Sequence, residues 1–332
     1  MASSPPRVPD VRAYVASAQG LQLIDRLLPD VSSDTVVARV HASALNRIDL
    51  KMAKGYRHGA SGGTGATMGI EWAGEIVAVG TRVTGYAVGD RVAGMGAGAF
   101  ADHVAARPIQ LFALPPEMSF EQAVCFPVAL RTMYEALVMS GGLQRGQTVL
   151  VQGASSAVGL VGMQIAKALG AALVIGTSTQ DVRVARLGDY GADLALNSRD
   201  ETWVEDTLAA TAQAGVDLVI DQVSGSLLNQ TLRATRILGR IVNVGRLGTN
   251  MQPFDAEMHA MRRISLIGTT FSSRTHEEFA AVTRGMLADL YPTLAAGVFR
   301  MPIAERFAFE DLPAAMEEMS DNRHFGKIVL KH

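Results

Sequence analysis

One stretch, residues 149–171 (VLVQGASSAVGLVGMQIAKALGA), constrains the fold of this chain more than any other. It opens on an apolar segment and passes through a loop of small residues, 153–159. It then enters a segment in which Val158, Val161, Ile165 and Leu169 recur at three- and four-residue spacing ahead of Gly170. A short aliphatic and β-branched run bounded by glycine suits a strand buried on both faces. The spacing that follows predicts a helix stopped by Gly170. The rhythm then continues. Apolar segments at 172–177, 194–197, 216–221, 240–245 and 265–270 alternate with helical stretches near 180–190, 202–213 and 226–237. Six such strands joined by helical crossovers make a parallel, doubly wound α/β sheet.

The loop explains what such a sheet would bind. Ser155, Ser156, Ala157, Val158 and Gly159 carry little side-chain bulk, so the backbone can approach an anion closely. The unpaired N–H groups and positive dipole end of the helix that opens there then face it. A strand–loop–helix of this kind is the site for the pyrophosphate of a dinucleotide. The second strand discriminates between the two nicotinamide cofactors. A carboxylate at its end, about 20 residues past the loop, would bind the ribose diol of NAD. This chain has Gly176-Thr177-Ser178-Thr179 there instead. Thr177 and Ser178 leave room for a 2′-phosphate, and Arg183 is placed to pair with it, with Arg186 a second candidate and Asp181 an opposing charge. The expected cofactor is NADPH.

The rest of the chain has a different character. Residues 36–40 and 72–79 are β-branched runs ended by glycine turns, and 60–67 is rich in Gly, Ser and Thr, as in a surface loop. After residue 271 come two amphipathic segments, 277–290 and 311–319, and a closing strand at 325–330. This tail is too short to fold alone and is expected to rejoin the β-rich first part. The expected division is therefore a domain at 1–125, completed by 272–332, around a dinucleotide-binding domain at 126–271. A length of 332 residues suits two domains. The formal charge of −2 gives no electrostatic basis for nucleic-acid binding. The single cysteine, Cys125, rules out an internal disulfide. No secretory leader is legible at the N-terminus, and no apolar run approaches the roughly 20 residues that span a bilayer. A cytoplasmic protein without membrane partners is the expectation.

These segments resemble a known family. ASALNRIDL at 42–50, GIEWAGEIVAVG at 69–80, VGDRV at 88–92, FPVALRTMYEAL at 126–137, the VLVQGASSAVG loop and FGKIVL at 325–330 occur in the order and spacing of the zinc-independent medium-chain dehydrogenases/reductases. Within these the chain is most similar to the quinone oxidoreductases, which include the zeta-crystallin-like enzymes. The resemblance implies a GroES-like β-barrel catalytic domain beside a Rossmann doubly wound sheet, and a homodimer. It also implies site residues: Asn46 and Tyr56 lining the acceptor pocket, and Thr132 at the nicotinamide carboxamide. Gly245, Arg246 and Phe271 would lie around the nicotinamide ribose, with Phe325 and Lys327 closing over the cofactor. The Gly-His-Glu motif of zinc-dependent relatives is Gly69-Ile70-Glu71 here, isoleucine cannot ligate, and a four-cysteine zinc lobe is impossible with one cysteine. No metal is expected.

Without a metal to polarise it, an alcohol is a poor hydride donor. Quinones and alkenes conjugated to a carbonyl accept hydride readily, and the enzyme then has to supply donors to the oxygen that gains charge. The Asn46 amide and the Tyr56 hydroxyl are such donors. The expected activity is NADPH-dependent reduction of quinones or α,β-unsaturated carbonyls, with small molecules as partners. Enoyl-thioester reduction in a fatty-acid or polyketide pathway is an alternative on the same scaffold, and a non-catalytic NADPH-binding structural or regulatory role is another.

Overall fold

The structure is a computed structural model that describes residues 11–332 except 19, 60 and 250. It divides into two compact units. The first holds the chain up to Val128 together with Ser272–Thr283 and Pro302–His332, and the second holds Ala129–Phe271 and Arg284–Met301. The division inside the tail differs from the single return expected at residue 272. Helix His276–Ala295 begins in the first unit, and its residues from Arg284 onward belong to the second.

The second unit is built on six parallel strands: Thr148–Gln152, Leu173–Ser178, Leu194–Asn197, Val216–Asp221, Thr235–Asn243 and Ser265–Gly268. Counted along the chain, their spatial order is 3-2-1-4-5-6. The order reverses between the first and fourth strands, where Gln152 and Asp221 are partners, and α/β sheets bind their ligands outside the carboxyl ends of strands at this place. Val149, Leu150 and Val151 are fully buried, as are all six residues of Val216–Asp221 apart from a trace at Asp217. That explains their largely apolar character, which Asp217 and Asp221 interrupt. Leu150, Ile175, Val219 and Ile241 form one core with Trp203, Val204 and Leu232 from the crossover helices.

The helix after the glycine loop spans Ala157–Ala168 and stops before Gly170, whose φ is +86°. The other crossovers are shorter than the periodicity suggested. The stretch expected as a helix over 180–190 is a turn of helix, Asp181–Val184, followed by a 3₁₀ turn, Leu187–Tyr190. Gly188 lies inside the 3₁₀ turn and lowers the helical propensity of an already short stretch. The helix expected over 226–237 is Leu228–Ala234, because the β-branched Thr235 already begins the fifth strand. That strand carries an irregularity at Leu238, where φ is +62°. Helix Ala256–Arg262 was not legible from periodicity.

In the first unit, a seven-stranded sheet runs in the order Ile303–Ala308, Lys327–Lys331, Val36–Ala44, Glu71–Val79, Arg91–Met95 and Leu111–Ala113, with His103–Ala106 also paired to Val36–Ala44. The last strand of the chain thus lies beside the first long one, with Val329 opposite Ala44. The segment at 60–67 is not a loose surface loop. Ser61–Gly62 pairs with Arg57–His58, and residues 61–63 are buried. Gly62 has φ +75°, and a Cβ there would come within 2.5 Å of the Tyr56 carbonyl oxygen. Ala60 itself lies outside the described residues. One helical stretch, residues 120–140, is long and apolar enough to cross a membrane, contrary to the sequence expectation. Of its most apolar window, 78% is buried inside the protein, so protein rather than lipid covers it here.

Trp203 is the largest side chain in the core of the second unit, and its indole N–H donates to Gln230 Oε1 at 3.1 Å. Trp203→Ala is expected to lower stability by about 3–5 kcal/mol, measured as a shift of the urea midpoint without a change in slope.

Candidate functional site

The glycine loop in the second unit is shaped by three constraints. Gly153 sits at φ +70°, where an L side chain is strained, so the chain can turn sharply off the first strand. A Cβ on Gly159 would stand 2.7 Å from Ala154 backbone atoms, so the helix packs on the strand end at backbone contact. Ser156 is the N-cap, with its Oγ accepting the Gly159 N–H at 3.0 Å. The Ala157 and Val158 amides open the helix, and its own ladder cannot satisfy them. An anion placed there meets unpaired donors and the dipole together. These residues therefore fit the pyrophosphate of a dinucleotide, through Ser155 to Gly159.

Gln222 holds this loop in place, and no nucleotide motif pointed to it. Ser156 Oγ donates to Gln222 Oε1 at 2.9 Å, and Gln222 Nε2 donates to the carbonyls of Gln152 and Gly153 at 3.2 and 3.3 Å. The Gln222 carbonyl also packs against Gly245, where a Cβ would come within 2.6 Å of it. Gln222 thus ties together the loops after the first, fourth and fifth strands. The one available sequence signal was its place directly after a strand at the switch point. Asp221, fully buried, accepts the Val223 and Ser224 N–H groups at 2.9 and 2.8 Å, and burial pushes its carboxyl above the ordinary value. These bonds hold Ser224 at φ +55°.

At the end of the second strand the expected residues divide into two roles. Thr177 is fully buried; it donates to Gln152 Oε1 and accepts the Gly153 N–H at 3.3 Å, so it braces the loop rather than facing a ligand. Ser178 shares a 2.9 Å hydrogen bond with Ser155. Arg183 is 8% exposed, and burial lowers its guanidinium from the ordinary value, so an anion near it would be poorly screened by water. The opposing carboxylate, Asp181, accepts the Asn197 amide at 2.7 Å. Arg246 is exposed and donates to Asn243 Oδ1 at 3.1 Å, while Gly245, Phe271 and Thr132 are partly exposed.

The first unit brings Asn46 and Lys327 together around Glu71. Asn46 follows strand Val36–Ala44 and begins the short helix Arg47–Met52, whose Asp49 accepts the Asn46 backbone N–H at 2.7 Å. The Asn46 side chain donates to Glu71 Oε2 at 3.0 Å and to the Ala44 carbonyl at 3.4 Å. Its Oδ1 accepts Lys327 Nζ at 2.9 Å. Lys327 is 1% exposed and forms an ion pair with fully buried Glu71. Glu71 also accepts the Val128 N–H at 2.7 Å. The Lys327 ammonium, expected over the cofactor, is thus committed within its own unit. Gly326 before it has φ +99°, and a Cβ there would strike the Pro302 carbonyl at 2.1 Å. Phe325 is buried. Tyr56 is 52% exposed and, among the described residues, makes no hydrogen bond to the Asn46 group.

Zinc does not fit this group. Glu71 is neutralised by Lys327, and Ile70 stands beside it. Cys125 is buried, and its thiol donates to the Glu121 carbonyl at 3.2 Å. Among the described residues, no set of three His, Cys, Asp or Glu could hold a metal.

Two family models match the chain: the alcohol dehydrogenase GroES-like domain over residues 32–116 and the zinc-binding dehydrogenase over 157–287. A quinone oxidoreductase from Pseudomonas syringae pv. Tomato DC3000 is 26% identical and superposes with a TM-score of 0.85, covering 97% of this chain and 100% of that one. The CurK enoyl reductase, 24% identical with a TM-score of 0.85 over 97% of this chain and 99% of its own, shares the fold. A highly reducing polyketide synthase of Penicillium crustosum is 28% identical over 96% of this chain, which spans 14% of that protein's length.

Ser156→Ala removes the cap and leaves Gln222 Oε1 without its donor. It is expected to lower stability by about 1–2 kcal/mol, while Ser156→Thr keeps most of it, both read by thermal denaturation. Burial raises Asp49 to about 7. The folded state then holds a proton that the unfolded chain releases above about 4. This contribution is full below that value and is lost as pH rises to about 7. Asp49→Asn should therefore flatten the fall in Tm between acid and neutral pH relative to wild type. An unchanged slope would mean that Asp49 is ionised in the fold.

Proposed function

We propose that this chain, which belongs to the medium-chain dehydrogenase/reductase superfamily of oxidoreductases, uses NADPH to reduce quinones or α,β-unsaturated carbonyls without a metal. The observation that carries the cofactor choice is the end of the second strand. No carboxylate stands there for a ribose diol, and buried Arg183 lies just beyond Ser178. A 2′-phosphate would pair with Arg183, and the pyrophosphate would lie on the amides of Ala157 and Val158. Bound NADPH supplies the hydride.

Asn46 is the candidate for meeting the charge that hydride addition creates. As the β-carbon of an enone, or a ring carbon or oxygen of a quinone, gains the hydride, negative charge grows on a carbonyl oxygen, and a proton later completes the reduction. Asn46 has one amide N–H held by Glu71 at 3.0 Å and a second held weakly by the Ala44 carbonyl at 3.4 Å. The second is the one to exchange onto the acceptor oxygen, where a donor is strongest as charge develops. Tyr56, exposed nearby in sequence, is the candidate second donor.

Enoyl-thioester reduction is the second reading. It is favoured by the similarity to a highly reducing polyketide synthase over 96% of this chain, and it uses the same chemistry on an enone-like thioester.

Fluorescence titration with NADPH and NADH, followed by turnover on quinones, enones and enoyl thioesters, tests both readings. NADPH is expected to bind the tighter, and Arg183→Glu to weaken NADPH by about tenfold or more with little effect on NADH. Equal weakening of both cofactors would place the 2′-phosphate elsewhere. Failure to bind either would remove the cofactor assignment.

A further inference from the structure

We propose that Lys327 is a positioning residue of the acceptor site: its ammonium is the resident cation beside Glu71, and it orients the Asn46 amide. This rests on the reading of Asn46 as the donor to the acceptor's oxygen. Four observations carry it. First, Lys327 and Glu71 are both essentially without solvent, at 1% and 0% side-chain exposure, and form an ion pair. A buried carboxylate without a partner is strongly disfavoured, so one of the two charges requires the other. Second, Lys327 Nζ also donates to Asn46 Oδ1 at 2.9 Å, and Glu71 Oε2 accepts the amide of the same residue at 3.0 Å. The amide plane is therefore clamped at both ends. Third, an ammonium on the amide oxygen draws electron density from the nitrogen and makes the remaining N–H, on the 3.4 Å bond to Ala44, a better donor. Fourth, among the described residues no set of three His, Cys, Asp or Glu could hold a metal ion, and the cation that does stand beside Glu71 is the Lys327 ammonium.

Lys327 thereby does two things that a metal would do at such a site. It neutralises the buried carboxylate, and it strengthens the group that meets the developing oxyanion. It acts through Asn46, so it is a positioning residue.

The test uses the full chain with two variants, Lys327→Met and the double variant Lys327→Met/Glu71→Gln. The single variant strands a buried carboxylate and is expected to lose much of its stability. The double variant removes both charges with near-isosteric side chains and should recover part of the lost thermal midpoint, the remainder being the second acceptor that Gln lacks. With NADPH affinity at the wild-type value, its kcat is expected to fall about tenfold or more, short of the loss when an oxyanion donor is removed outright. A folded double variant that binds NADPH normally and keeps wild-type kcat would reduce Lys327 to a structural role and overturn the proposal. Elemental analysis of wild-type protein, incubated with zinc and desalted, needs no variant: no stoichiometric zinc is expected, and turnover should survive chelator. Stoichiometric retained zinc would overturn the proposal whatever the variants do. If wild-type protein binds no NADPH, the functional reading fails by itself, and the zinc measurement still decides whether the cation position is filled from within.

Discussion

A carboxylate sealed from water must find its counter-charge inside the protein, and in the first unit Lys327, Asn46 and the Val128 amide meet that requirement at Glu71. The pair it forms with Lys327 joins the strand Glu71–Val79 to the last strand of the chain, more than 250 positions later. The shared Asn46 adds the turn after Val36–Ala44. Breaking such a pair by removing one partner typically costs about 3–5 kcal/mol, although replacing both can be neutral. The pair therefore links three segments far apart in the chain rather than serving as a simple source of stability. Gly326 permits this, because its φ of +99° and the Pro302 carbonyl leave no room for a side chain just where the chain turns Lys327 inward.

The second unit answers a different requirement. Its loop must present bare amides to an anion while remaining rigid, and small residues by themselves provide the first property at the expense of the second. Rigidity comes from outside the loop. Thr177 and Ser178 brace it from the second strand and Gln222 from the fourth, and Ser156 closes the bracing onto the helix through its cap. The side chains that look like ligand contacts in a linear motif are here partly a scaffold.

Strands Thr148–Gln152, Leu173–Ser178 and Val216–Asp221 were legible because they lie in the buried centre of the sheet and are largely apolar. The first crossover helix was legible because its apolar spacing and its terminal glycine agree. The shorter crossovers were not. Gly188 and the β-branched Thr235 shift the balance between helix, 3₁₀ turn and strand by amounts that only packing settles. The buried hairpin at 61–62 was likewise hidden, since a Gly-Ser-Thr composition does not distinguish a mobile loop from one in which glycine is required for close packing. Of the site, the glycine loop and Asn46 could be found from residue type and position. Gln222 and Glu71 could not be given their roles in that way, because a glutamine or glutamate after an apolar run carries no signature of the group that it will hold.

What the sequence by itself determined is therefore what depends on local pattern. The alternation of strands and helices, the position of the anion-binding loop and the lack of a carboxylate at the end of the second strand all follow from neighbours in the chain. What only the tertiary structure decided is which side chains are spent on one another. Lys327 near the end of the chain could equally have reached toward a cofactor, and Thr177 toward a phosphate. Burial and pairing, which depend on residues 25 to 256 positions away, turned both inward. An ionic or hydrogen-bonding side chain has several chemically reasonable partners, and the desolvation of its surroundings in the fold selects among them.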